Sequence, residues 1–247
     1  MKITMYHLYP DRLNLYGDRG NILALKARCE WRGVETEICQ IYQGDELDFS
    51  QADILLIGGG STEDQQILQK SLSPQVKKLK QAVEEGLVVL AVGSGYQMLG
   101  EYYQTAAGEK IPGLGILDLY TVEGPTRFKG NVIAKLLTPP PHSTGLLTMV
   151  GFENHLGKTY LGSGLTPLGQ VLRGYGNNGE DGLEGFRYKN LWGTNLHGPL
   201  LPKNPHLADE LLKAVWQKKG RKAVELELND NLEKRAHLAI VKRFGGK

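Results

Sequence analysis

Two short runs in this chain are apolar almost throughout and end on glycine. Apart from Asp53, the segment Ala52 to Ile57 is apolar and stops at Gly58-Gly59-Gly60; Leu87 to Val92 stops at Gly93-Ser94-Gly95. A strand with one wet face alternates apolar and polar residues, whereas one apolar at successive positions is buried on both faces. That is the habit of a parallel sheet covered by helices on either side. The flanking pattern agrees. Lys2 to Leu8 reads as a strand, Asn21 to Arg32 as a helix capped by Asn21 and stopped by Gly33, and Val34 to Ile41 as the next strand. Ser73-Pro74 and Asn204-Pro205 each place an N-cap before a proline at the first helical position, and Gly86 and Gly220 close those two helices.

Between Leu114 and His197 the pattern changes to short alternating segments: 131–137, 146–151, 158–161, 169–172, 183–188 and 191–196, separated by Gly, Pro and Asn. These read as hairpins and returning strands, with Pro139-Pro140-Pro141 and 177–182 as the clearest loops. The expected fold is therefore α/β, three-layered, with a mostly parallel sheet, helices on both faces and an antiparallel extension. Residues 218–247 carry nine Lys and Arg against four Asp and Glu. In that stretch Leu226, Leu232, Ala236, Ile240 and Phe244 fall near helical spacing, so residues 1–217 are expected to form one domain and 218–247 a basic helical extension. Across all 247 residues the balance is 29 Lys and Arg against 27 Asp and Glu. That offers no field for nucleic acid or an anionic membrane. No run reaches the length of a bilayer span and the first residues do not form a signal peptide, so a soluble, cytoplasmic protein without a transmembrane segment is expected. Cys29 and Cys39 lack the spacing of a redox or zinc motif and read as two buried thiols, with no metal site.

Three motifs carry chemistry. The first is the apolar strand turning through Gly93-Ser94-Gly95 into a helix from Tyr96. So sharp a turn lifts one side chain above the sheet, at the positive end of the helix that follows, and Ser94 is read as that side chain. A tight turn with a small residue explains the same pattern. The hydrolase elbow G-x-S-x-G is not met, because Val92 holds its first glycine position. The second is Leu191 to Leu200, a strand ending at His197. A lone histidine there is more often structural, but open α/β sheets gather their sites at the carboxyl ends of strands, where His197 can meet Ser94. The third is Gly58 to Asp64, whose backbone N–H groups suit an oxyanion hole or an anion nest, or serve simply as a turn. Neither G-x-x-x-x-G-K-[ST] nor G-x-G-x-x-G after a strand occurs, which disfavours ATP binding by this chain.

In this order and at these separations, the three motifs resemble the class I glutamine amidotransferases, most nearly the cobyric acid synthase-like branch. Further segments carry the resemblance over about residues 1–217: Leu15-Tyr-Gly-Asp-Arg-Gly-Asn21, Trp31-Arg-Gly33, Gly58 to Gln66, Gly151-Phe-Glu-Asn-His155, Thr159-Tyr-Leu-Gly162 and Gly193 to Leu200. Within the branch it is similar to glutaminase subunits that feed a cell-wall ligase. The resemblance implies hydrolysis of L-glutamine to glutamate and ammonia. It implies a Mur-ligase-like partner, MurT, which would hold ATP and Mg, meet lipid II, and amidate the D-glutamate of its stem peptide to D-isoglutamine. This chain would then need no cofactor of its own. The family nucleophile is a cysteine in a segment C-G-Y-Q or C-x-G-Y-Q, here matched to Ser94. A hydroxyl in a site built for a thiolate is a poor nucleophile, so the chain is expected to be an inactive or trapped Cys-to-Ser form, or else a non-catalytic glutamine-binding regulatory subunit. His197 is implied as the general base, with Gly59, Gly60 and Gly95 forming the oxyanion hole and Arg127 binding the substrate α-carboxylate. Relatives often carry glutamate two residues after the histidine. Pro199 stands there, which matches a branch that uses a dyad or takes an orienting group from elsewhere. The basic tail is expected to dock on the partner or to be a solvated helix.

Overall fold

The computed structural model describes residues 2–139, 145–220 and 228–245. In chain order it contains β1 (Lys2–Leu8), α1 (Arg19–Glu30), β2 (Glu35–Ile41), β3 (Ile54–Ile57), α2 (Thr62–Leu72), α3 (Val76–Glu84), β4 (Val88–Val92), α4 (Ser94–Gln97), β5 (Tyr102–Gln104) and β6 (Lys110–Pro112). There follow β7 (Leu119–Leu136), β8 (Thr148–Leu161), β9 (Gly169–Arg173), β10 (Leu183–Glu184), β11 (Phe186–Tyr188), β12 (Leu191–Thr194), α5 (Leu200–Lys203), α6 (Pro205–Lys218) and α7 (Asn231–Phe244).

One sheet has the order β11-β12-β4-β3-β1-β2 and is parallel except for its edge strand β11. Period-two alternation splits the apolar strands between two cores. Leu55, Ile57, Val89 and Ala91 pack with Leu68 and Leu72 of α2 and Leu79 and Val83 of α3. Ile54, Leu56, Val88, Leu90 and Val92 pack with Ile22 and Leu25 of α1 and with Leu211, Val215 and Trp216 of α6. The three layers follow directly from strands with no polar face.

The largely antiparallel part forms a sheet of its own, ordered β10-β9-β7-β5-β6 with β8 also on β7, in which β5 and β7 pair in parallel. Some segments here are longer than the pattern indicates, whereas 183–188 splits at Gly185 into β10 of this sheet and β11 of the first, and the strand expected over 191–196 is β12 of the parallel sheet. Residues 148–151 and 158–161 of the expected stretches are parts of one 14-residue strand, β8, and 131–136 lies in an 18-residue strand, β7. Their ladder is continuous except for a bulge between Glu123 and Phe128, where Gly124-Pro-Thr-Arg127 breaks the alternation and hides the continuity. Pro140 and Pro141 lie outside the described residues.

Several helix ends also differ from expectation. Asn21 lies inside α1, its side-chain oxygen accepting from the Leu201 N–H at 2.8 Å, and Asp18 is the N-cap residue. Ser73 closes α2, donating to the Gln69 carbonyl, instead of opening α3. Asn204 is the N-cap residue of α6 before Pro205, as expected, but spends its side chain on Val150, accepting from its N–H and donating to its carbonyl. A side-chain amide placed between elements finds better partners there than at the local cap. The helix α2 was not read from the sequence; its start is marked by a capping box, Ser61 with Asp64. Of the two thiols Cys29 is buried and Cys39 half-buried, and burial pushes the Cys29 thiol up to about 12.

The last helix turns inward a face that overlaps the expected stripe only in part, at Ile240 and Phe244, both half-buried. Leu232 and Ala236 are exposed, while His237 is buried, its imidazole bonded to the Lys203 carbonyl and the Thr148 hydroxyl and lying edge-on to His206. At the start of α7 the Arg28 guanidinium bridges the carboxylates of Asp209 and Asp230 with four N–H donors at 2.6 to 2.8 Å. Leu226 lies outside the described residues. No helix among the described residues is long and apolar enough to cross a membrane.

Candidate active site

The carboxyl ends of β1, β3, β4 and β12 converge, and each delivers one part of a site. After β12, His197 is locked to β8 by two backbone hydrogen bonds with Phe152, at 2.7 and 3.2 Å. Upstream, the buried carboxyl of Glu184 accepts from the Thr194 hydroxyl at 2.6 Å and the Asn195 N–H at 3.0 Å, bracing the turn that carries the histidine. Burial pushes this carboxyl up to about 7.

The loop after β1 brings in Asp18, fully buried. Its Oδ1 lies 3.2 Å from His197 Nδ1 and its Oδ2 accepts the Gly59 N–H at 2.8 Å. A carboxylate only accepts, so it holds the imidazole proton on Nδ1 and leaves the Nε2 lone pair facing the other way. Asp18 thus orients His197, the role Pro199 cannot fill. Tyr16, from the same loop, covers the ring edge-on at 4.8 Å between centroids.

Nε2 faces the turn after β4, at the residue before the one read from the sequence. Gly93 has φ 56° and ψ −122°. A β-carbon at position 93 would lie 2.6 Å from both Nε2 and Cε1 of His197. The strained elbow is therefore Gly93, whose N–H is held by the Thr194 carbonyl at 2.8 Å. Ser94 begins α4 one residue later and points elsewhere. Its hydroxyl accepts the Gly60 N–H at 2.7 Å and donates to the Gly60 carbonyl at 3.1 Å. Among the described residues no hydrogen bond joins Ser94 to His197. The side chain at the elbow is set by backbone geometry, and the segment Gly93-Ser94-Gly95-Tyr96-Gln97 fits the family pattern in two registers, one residue apart.

The three oxyanion-hole candidates stand differently. The N–H of Gly59 is taken by Asp18 and that of Gly60 by Ser94. Gly95 lies in the first turn of α4, where an N–H has no intrahelical acceptor. A β-carbon on Gly95 would come within 2.6 Å of the Gly58 carbonyl oxygen, so only glycine lets α4 pack this close to the end of β3. Arg127 lies in the bulge of β7, exposed, and its Nη1 donates to Asn154 Oδ1 at 3.2 Å. Asn154 in turn donates to the Tyr16 hydroxyl at 2.7 Å, which ties Arg127 to the roof over His197.

The structure thus brings His197, Gly59 and Gly93 together, links Arg127 to them through two side chains, and turns Ser94 onto Gly60. Sequence reasoning missed Asp18, Tyr16, Asn154 and the role of position 93. The signal for the first three lay in the segments Leu15 to Asn21 and Gly151 to His155, polar residues crowded beside strand ends.

An oriented imidazole facing a glycine-flanked strand-to-helix elbow, at the carboxyl edge of a parallel sheet, is an amidotransferase arrangement. Residues 4–205 match the CobB/CobQ-like glutamine amidotransferase domain, and the chain belongs to that family. It is 41% identical to the GatD subunit of lipid II isoglutaminyl synthase (glutamine-hydrolyzing) from Staphylococcus aureus over 242 residues, which span 98% of this chain and 96% of that one. With the subunit of the same name from Streptococcus pneumoniae the identity is 36%, spanning 94% of this chain and 87% of that one. A solved glutamine amidotransferase from Thermotoga maritima shares the fold, with a TM-score of 0.55 at 12% identity over 99% of each chain. The glutaminase domain of Trypanosoma brucei CTPS does so as well, at 0.55 and 10%, over 89% of this chain and 95% of that domain.

Proposed function

We propose that this chain is the glutamine-binding subunit of a lipid II isoglutaminyl synthase, with an amide site that lacks its nucleophile as the sequence stands. Similarity to two GatD subunits along nearly the full chain supports the assignment. In this reading a Mur-ligase-like partner, MurT, holds ATP and Mg and activates the D-glutamate of the lipid II stem peptide, and ammonia from glutamine converts it to D-isoglutamine in the cytoplasm. Arg127 takes the α-carboxylate of L-glutamine, since a guanidinium fork matches that group. Gly95 offers an N–H to the amide oxygen. His197, oriented by Asp18, would take the proton of a nucleophile and return it to the leaving ammonia.

The observation that carries this proposal is the pairing of Gly93 with His197. The lone pair of a braced imidazole is aimed at an elbow that bears no side chain. The replacement that silences the site therefore falls at Gly93, not at Ser94. A second reading rests on the same feature, namely a subunit that binds glutamine and regulates its ligase without hydrolysis.

Glutamate release from L-glutamine, measured on the complex with the ligase subunit, separates these readings. Gly93→Cys is expected to raise the rate by on the order of 10³-fold or more, because losing a nucleophile costs up to about 10⁶ in a well-studied protease. Ser94→Cys is expected to raise it little. A gain with Ser94→Cys and none with Gly93→Cys refutes this placement of the nucleophile. Glutamine binding by Gly93→Cys without any hydrolysis leaves the regulatory reading standing.

A further inference from the structure

Asn154 lies between two groups of opposite hydrogen-bonding need. Its Oδ1 accepts from Arg127 Nη1 at 3.2 Å and its Nδ2 donates to the Tyr16 hydroxyl oxygen at 2.7 Å. The guanidinium has no acceptor, so the oxygen of the amide must face Arg127 and its nitrogen must face Tyr16. The Tyr16 oxygen is thereby occupied as an acceptor, which leaves its own proton to point away from Asn154. Among the described residues that proton has no acceptor, and the ring that carries it lies against His197. Arg127 likewise spends only one of its five N–H donors on Asn154.

We propose that Asn154 is the positioning residue of a two-donor clamp formed by Arg127 and the Tyr16 O–H, and that the clamp selects ligands bearing an α-carboxylate beside the amide to be bound. This rests on the glutamine site proposed above and deepens it by naming what discriminates glutamine from a plain amide. The bulge of β7 sets Arg127 out from the strand ladder, and Asn154 on the neighbouring strand β8 is the link that draws it back toward the loop holding Tyr16 and Asp18. A single amide thus couples the anion-binding arm to the roof of the imidazole. With Asn154 removed, the arginine is a mobile surface side chain and the tyrosine proton is free to turn.

The test is a chemical-shift titration of the full-length chain, which does not consume its ligand, with L-glutamine and with 4-aminobutanamide, the same molecule without its carboxylate. Asn154→Ala and Tyr16→Phe are each expected to weaken L-glutamine binding by about tenfold, the loss of one hydrogen bond to a charged group, and to leave 4-aminobutanamide binding unchanged. Tyr16→Phe keeps the ring against His197, and unchanged binding of the carboxylate-free ligand reports an intact fold; a purely structural role would weaken both ligands together. If Arg127→Ala weakens L-glutamine while Asn154→Ala and Tyr16→Phe do not, the clamp is overturned and the glutamine site stands. If the unsubstituted chain binds no L-glutamine, both fall.

Discussion

On one side of the site, His197 is held by its backbone to β8, by Asp18 on its Nδ1 and by Tyr16 against its ring. Behind it, Glu184 braces the turn from which it projects. On the other side, Gly93 keeps the dihedral angles of an elbow and carries nothing on them. The imidazole is oriented, and under the proposed function the group it would act upon belongs at the bare elbow. The imidazole side is maintained by a network in which every member also supports the fold, so its loss would cost stability. The elbow side depends on one side chain, and the backbone shape survives without it.

This contrast breaks most visibly under Gly93→Cys, with the rate gain given above. In that background Asp18→Asn should lower kcat by about 10² to 10⁴, since an amide cannot hold the imidazole in the required tautomer. A kcat left unchanged would mean that His197 needs no orienting group. Without catalysis, the contrast sharpens as stability. Gly93→Ala places a β-carbon at positive φ 2.6 Å from the His197 ring, which must give way as it must for Gly93→Cys, and should cost about 2 to 4 kcal/mol in denaturant unfolding, combining backbone strain with steric displacement. Ser94→Ala removes the hydroxyl that satisfies both backbone groups of Gly60 and should cost about 1 to 2 kcal/mol. If the two costs were reversed, the crowded position would be 94.

The smallest effect is one of pH. Glu184 is raised by burial from 4.5 to about 7, so between those values the folded chain keeps a proton that the unfolded chain has lost. Its contribution to stability is present below about 4.5 and is lost as pH rises through 7. The opposite slope comes from His206, lowered by burial to about 4, which favours the fold above 6.5 and less so as pH falls through 4. Unfolding midpoints across pH 4.5 to 7.5 should lose the Glu184 slope in Glu184→Gln and retain the one from His206.

Both buried strands, their glycine ends and the three-layer architecture were legible because they follow from local composition. An all-apolar strand has one stable environment, and glycine at its end permits few turns. His197 was legible for a related reason, being polar just beyond a strand end where sites gather. The long strands β7 and β8 were not, because a bulge and intervening glycines interrupt a periodicity that only pairing restores. Nor were the side-chain roles of Asn21, Ser73 and Asn204, which found partners in other elements or the preceding turn, although Asn204 does stand at the N-cap of α6 before Pro205.

The site divides in the same way. Sequence determined which strand ends would meet and that a histidine and a glycine-rich elbow would be among them. Only the tertiary structure decided which residue of Gly93-Ser94-Gly95 faces the imidazole, and that an aspartate 179 residues away orients it. The direction of a side chain at a tight turn depends on φ and ψ, and a buried carboxylate finds its partner through space. Neither quantity is written in the spacing of residue types along the chain.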